Sequence, residues 1–226
     1  MSCDAAQATS SILVYRCRIP DGGNREHLMS ALGKIPSHLH GDITRYMRLQ
    51  DQLSRAVARR LVSKALEDAG LGQFSNLCGW QKDRWGRPHI SGTAADFSIS
   101  HSGSLVVAAL AINSRIGVDV ETFRPMDLDS IRPYLSDAEL EVLAKAANPH
   151  REAVRCWVRR EAILKADGRG LLAPEEVIKD IGKMERSKGG KWRVECCEFE
   201  SACLYLATDG YEYPLLHSVW DFPDLF

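Results

Sequence analysis

The chain has 226 residues, 45% of them apolar and 26% charged, with a formal net charge of −1 at pH 7. That is the make-up of an ordinary globular protein, long enough to bury one large core or two small ones. Its near-neutral charge gives no overall electrostatic case for binding nucleic acid or an anionic membrane, so any basic site must be local.

The N-terminus, Met1-Ser-Cys-Asp-Ala5, lacks the basic and apolar stretches of a signal peptide. Ile12 to Ile19 reads as a first strand, rich in β-branched and aromatic residues and stopped by Pro20-Asp-Gly-Gly23. From Ile43 to Ala69 apolar residues recur at helical spacing and Gly70 follows as a C-cap, which predicts a long amphipathic helix. Arg45, Arg48, Arg55 and Arg59 form a basic stripe along it, either a solvated face or a phosphate-binding one.

Short strands are predicted around Trp80 and over Phe97 to Ser100, Leu105 to Ile112 and Ile116 to Glu121, with Gly and Asn breaks between them. Leu105 to Ile112 is the longest apolar run and is far too short to span a bilayer. Ser136-Asp-Ala-Glu139 is a capping-box start for a short helix reaching about Ala147. A second amphipathic helix covers roughly Arg151 to Asp167 and ends at Gly168-Arg-Gly170. Lys179 to Lys191 reads as an exposed loop, and strands follow at Trp192 to Phe199 and Ala202 to Thr208. A long helix followed by strands therefore occurs twice, which predicts an α+β fold of two similar halves, 1–114 and 115–226.

The seven cysteines, Cys3, Cys17, Cys78, Cys156, Cys196, Cys197 and Cys203, are odd in number, lie largely in apolar runs and form no C-x-x-C pair. This argues against a zinc site or disulfide framework and for a reduced, cytoplasmic compartment.

Chemistry concentrates in Ile116-Gly-Val-Asp-Val-Glu121 and Trp157-Val-Arg-Arg-Glu-Ala-Ile-Leu-Lys165. Side chains alternate along a strand, so Asp119 and Glu121 leave by one face while Val118 and Val120 leave by the other. Glu161 and Lys165 stand four apart and share a helix face. If strand and helix meet, three carboxylates and a cation converge, the composition with which a divalent metal holds a phosphate-bearing substrate. The plain alternative is a solvated strand face and a surface ion pair. Arg87 stands in a turn between Gly86 and Pro88, and His101 ends a strand beside Ser100, Ser102 and Gly103, where an imidazole and backbone N–H groups can meet an anion.

Gly86-Arg-Pro88, Phe97-Ser-Ile-Ser-His-Ser102, Ile116 to Glu121 and Trp157 to Leu171 follow one another in an order and at a spacing that resemble the 4′-phosphopantetheinyl transferases, in particular their surfactin-type group. In that group a single chain is a pseudo-dimer of two α+β halves with the active site between them. The resemblance implies a monomeric enzyme that transfers phosphopantetheine from coenzyme A to a serine of an apo acyl or peptidyl carrier protein and releases adenosine 3′,5′-bisphosphate. It implies that Asp119, Glu121 and Glu161 hold Mg²⁺, with Mn²⁺ as the close alternative, and that Lys165 contacts the phosphate under attack. Glu161, or a water it polarises, is the implied base. Ser100, His101, Arg87, Arg160 and the first-helix residues Arg48 and Arg55 are the implied coenzyme A contacts, with Ser54 competing with Arg55 for the key helix position. Where Arg87 and Arg160 stand the family more often has lysine, and arginine offers a planar fork instead of a point charge. Another Mg²⁺-dependent phosphotransferase and a binding-only adaptor are the competing readings. The absence of a G-x-x-x-x-G-K-[ST] loop removes the P-loop version of the first.

Overall fold

The computed structural model describes residues 12–21, 23–179, 181–185, 187, 189–199, 201–210 and 215–220, so Cys3 and the segment expected to lack a leader lie outside it. The chain begins with β1 (Ile12–Arg18), α1 (Arg25–Gly33), α2 (His40–Thr44) and α3 (Leu49–Asp68). The hairpin β2 (Trp80–Lys82) and β3 (Pro88–Ile90) leads to β4 (Ala95–Ser102), β5 (Leu105–Ile112) and β6 (Ile116–Thr122). Then come α4 (Leu128–Ile131), α5 (Asp137–Lys145), α6 (Pro149–Asp167), α7 (Glu175–Lys179), β7 (Arg193–Glu198), β8 (Ala202–Thr208) and β9 (Leu215–Trp220).

The fold is α+β, and its core strands form two sheets ordered β4-β5-β1-β9 and β6-β8-β7. In the first, β4, β5 and β1 are antiparallel neighbours and β9 returns from the C-terminal end of the chain to run parallel to β1. The second is antiparallel throughout. One face of β1 and β5 packs on α1 and α3 through Tyr15, Leu28, Val57, Leu61 and Val106. Their other face, with Ile12, Val14, Val107 and Ala109, packs on Val118, Val120 and Leu204 of the second sheet. β5 is therefore covered on both sides, the physical reason that Leu105 to Ile112 is a continuous apolar run instead of an alternating one. α6 closes the far face of the second sheet through Val154 and Val158 against Cys203 and through Ala162 and Ala166 near Ala207.

The caps explain where the helices start and stop. Ser136 and Glu139 make the expected capping box of α5, and Asn148 with Pro149 opens α6, which Gly168 closes at φ 97°. The helix expected from Ile43 to Ala69 is broken: residues 45–48 bend, and Arg48 is extended where α3 begins. The Gln52 side chain donates to the carbonyls of Thr44 and Tyr46 across the break, and the apolar period lapses there, with Met47 exposed. The charged stretch expected to be an exposed loop instead buries Ile181, with Trp192 closing it, in a short turn packed against α6. Helix α1, capped by Asn24 and His27, and strand β9 carried no signal strong enough to predict. Among the described residues no helix is long and apolar enough to cross a membrane, and the six described cysteines form no disulfide.

Candidate active site

A glycine sets the distance between strand and helix. Val118 and Val120 of β6 turn toward the first sheet, so Gly117, Asp119 and Glu121 turn toward α6. At Gly117 the helix backbone comes so close that a Cβ would overlap the Ala162 carbonyl oxygen and the Ala166 amide nitrogen and lie 3.0 Å from the Ala166 Cα. That approach puts Lys165 Nζ 2.7 Å from Asp119 Oδ1. Asp119, Glu121, Glu161 and Lys165 line one cavity of about 330 Å³, together with Arg55 and Ala58 of α3, Ile99, Ser100 and His101 of β4, and Trp157.

The electrostatics are those of crowded, desolvated acids. Burial, followed by repulsion from Asp119, pushes the Glu161 carboxyl above its ordinary value. Burial raises Glu121 as well, against the hydrogen bond from Ser102 and with the help of Asp119. Burial and then Arg55 lower His101, which favours its neutral form. Asp119 is buried; its Oδ1 accepts from Lys165 and from Ser100 Oγ at 2.6 Å, while Oδ2 has no hydrogen-bond partner. Arg55 Nε is likewise buried and unpartnered, and its guanidinium stacks 3.6 Å from the centroid of the Tyr46 ring.

β4 and β6 are edges of different sheets, and side chains replace a backbone ladder between them. The Asp96 carboxylate accepts from Ile116 N at 2.8 Å, Ser98 Oγ from Val118 N at 3.0 Å and Ser102 Oγ from Thr122 N at 3.0 Å. Ser100 and Ser102 also donate to Asp119 and Glu121. Asp96, Ser98 and Ser102 were missed as the residues that hold this seam. A signal was present: polar residues at every second position of a strand whose other face carries Phe97 and Ile99.

The arginines need correction. Arg160 was expected to contact coenzyme A, but its side chain is fully buried and bonded to Glu139 of α5. It points to the side of α6 away from the cavity and ties two helices together. Glu139, expected only as a capping residue, serves both the cap and this ion pair. Arg87 was also expected to reach phosphate. Its guanidinium forks onto Asp96 at 2.5 and 2.7 Å and donates to the carbonyls of Lys165 and Ile116 at 2.9 and 2.8 Å, so these bonds use four of its five N–H donors and pin the turn before β3 to β4, α6 and β6. Arg48 is exposed ahead of α3 and does not line the cavity. The basic stripe divides: Arg55 faces the cavity, whereas Arg59 is buried over the Trp80 ring beside Asp42.

Among the described residues no three His, Cys, Asp or Glu side chains are arranged to hold a metal ion as they stand. The donor chemistry nonetheless fits a hard dication: the oxygens of Asp119, Glu121 and Glu161 share a partly desolvated cavity, and one of them, Asp119 Oδ2, is buried with no donor.

The model of the 4′-phosphopantetheinyl transferase superfamily matches residues 115–215, the stretch that carries Asp119, Glu121, Glu161 and Lys165. The 4′-phosphopantetheinyl transferase Sfp of Bacillus subtilis (strain 168) is 28% identical over 146 residues, 62% of this chain and 63% of that protein. A 4′-phosphopantetheinyl transferase of Bacillus subtilis is 26% identical over 223 residues, 93% of each chain. The 4′-phosphopantetheinyl transferase HetI of Nostoc sp. (strain PCC 7120) is 28% identical over 131 residues, 54% of this chain and 55% of that protein. The chain thus spans less than two thirds of the length of Sfp and HetI, and nearly all of the second relative.

Proposed function

We propose, from the premise that this chain belongs to the 4′-phosphopantetheinyl transferase superfamily, that it moves the 4′-phosphopantetheine of coenzyme A onto a serine hydroxyl of an apo acyl or peptidyl carrier protein. The observation that carries the reading is the single cavity that gathers three acids, Lys165, His101 and Arg55 from four separate elements. A surface ion pair has no need of such a gathering.

In the proposed reaction the serine oxygen attacks the phosphorus that bears pantetheine, the bond to the adenylate phosphate oxygen breaks, and adenosine 3′,5′-bisphosphate leaves. Negative charge accumulates on the leaving oxygen, and cations placed beforehand stabilise it. Asp119, Glu121 and Glu161 would hold Mg²⁺, which when bound there supplies positive charge to the pyrophosphate. Lys165 is a compact point charge for the phosphate under attack, kept at the cavity wall by Asp119. Arg55, with a buried unpartnered Nε, and His101, which lines the same cavity, are the proposed donors to the nucleotide phosphates. Glu161, whose proton affinity is raised by burial, takes the serine proton directly or through a water.

The same reading places the site between two related halves divided at 114/115, each a helix on a sheet, α3 on β4-β5-β1 and α6 on β6-β8, with β9 of the second half crossing over to join the sheet of the first. It makes the protein a monomer and a cytoplasmic one, the latter in keeping with the lack of a disulfide among the described cysteines. The test is to incubate the protein with coenzyme A, Mg²⁺ and a panel of apo carrier proteins and to look by mass spectrometry for added phosphopantetheine. No mass gain on any carrier that a known transferase modifies would overturn the reading.

A further inference from the structure

The hydroxyl of Ser102 is aimed by the backbone. Ser102 is buried at the end of β4, and its Oγ accepts the Thr122 N–H at 3.0 Å while donating to Glu121 Oε2. A hydroxyl has one proton and two lone pairs. Once Thr122 N–H occupies a lone pair, the proton points at the carboxylate, and Thr122 Oγ1 at 3.3 Å closes the other side. Ser98, two turns of the alternation earlier, sits on the same face and accepts from Val118 N at 3.0 Å, yet touches no carboxylate. The two serines thus make the same seam bond, and only one of them also grips an acid of the cavity.

We propose that Ser102 is a positioning residue that holds one oxygen of Glu121 and thereby presents the other to a bound divalent cation; this rests on the cation role given to Glu121 above. Glu121 has more side-chain freedom than Asp119 and lies nearer the open end of the strand, where burial is incomplete. The oxygen that Ser102 holds, Oε2, also lies 3.7 Å from Arg124 Nη2, so without Ser102 an exposed arginine is the partner left to hold it. The hydrogen bond therefore fixes Oε2 against the buried seam and leaves Oε1 for the cavity, an outer contact that orients a ligand without itself touching the ion.

The test is Mn²⁺ binding to the substrate-free protein, read by electron paramagnetic resonance or calorimetry, for wild type, Ser102→Ala, Ser102→Thr and Ser98→Ala. Ser102→Ala is expected to weaken Mn²⁺ about tenfold or more, the usual cost of losing an orienting partner, while Ser102→Thr and Ser98→Ala stay within about twofold of wild type. Circular dichroism melts confirm that the variants are folded, and Ser102→Thr keeps the hydroxyl should Ser102→Ala melt early. Unchanged affinity in Ser102→Ala overturns the proposal. So does an equal loss in Ser98→Ala, which would mean that the seam alone matters, or in Ser102→Thr. A wild-type protein that binds no Mn²⁺ removes this proposal together with the cation role of the acids. Conversely, Mn²⁺ binding with the expected Ser102 effect, in a protein that modifies no carrier, leaves Ser102 standing and overturns only the transfer reaction.

Discussion

Gly117→Ala is the smallest change that separates the strand acids from the helix acid. The new methyl would overlap the Ala162 carbonyl oxygen and the Ala166 amide nitrogen and stand 3.0 Å from the Ala166 Cα. All three are helix backbone and cannot rotate away. Carbon atoms settle at about 3.5–4.0 Å from their neighbours, so α6 must retreat by on the order of 1 Å. Gly117 lies within β6 and is not among the residues with positive φ, so the cost is steric and owes nothing to backbone strain. Overpacking of this kind costs about 3 kcal/mol or more, since it forces two packed elements apart instead of one flexible side chain. The lower entropy of the unfolded alanine chain returns at most about 1 kcal/mol. The same retreat carries Lys165 away from Asp119, a contact now 2.7 Å long, and takes Glu161 with it. Misplacement by about 1 Å is expected to lower turnover by about 100-fold. Urea unfolding gives the first quantity, and phosphopantetheine transfer to an apo carrier under conditions where the variant is folded gives the second. A loss of under about 1 kcal/mol with wild-type turnover would show that α6 does not depend on this contact.

Asp119→Ala is expected to lower transfer by about 100-fold or more with the fold intact, because it removes a cation ligand and the partner of Lys165 together; near-wild-type activity at saturating Mg²⁺ would refute the assignment. Glu161 has a raised folded-state proton affinity, so its favourable contribution to folding is present below the ordinary carboxylate range and is lost as pH rises through the raised value. In metal-free protein Glu161→Gln should therefore melt higher than wild type near pH 7, with the gap closing as pH falls; a lower melting point at neutral pH would contradict the desolvation argument. Glu139→Ala strands the buried Arg160 charge and is expected to cost about 3 kcal/mol or more in urea unfolding while leaving the coenzyme A KM of the folded fraction unchanged. A raised KM without destabilisation would return Arg160 to the substrate site. Arg132, exposed between β6 and α6, is a candidate for meeting an acidic carrier: Arg132→Glu should slow carrier association and blunt its salt dependence with little effect on coenzyme A. Unchanged association kinetics would move the docking surface elsewhere.

What the sequence determined by itself was local. The two-residue period of a strand was enough to set Asp119 and Glu121 on one face, and helical spacing was enough to set Glu161 beside Lys165. Caps at Ser136 and Gly168 mark helix ends through bonds within a few residues. The four quoted motifs were enough to point to the family. The tertiary structure decided which cations face the acids. Arg55 and Arg59 stand four apart on one helix, yet one reaches the cavity and the other is buried over Trp80. Arg160 adjoins Glu161 but is drawn to Glu139, and Arg87 is taken by Asp96 and by the carbonyls of Ile116 and Lys165. A guanidinium reaches several ångströms and satisfies its donors with whatever acceptors packing brings near, and those acceptors lie on other elements of the chain. The serines of β4 follow the same logic, because their role exists only where two sheet edges meet without a backbone ladder.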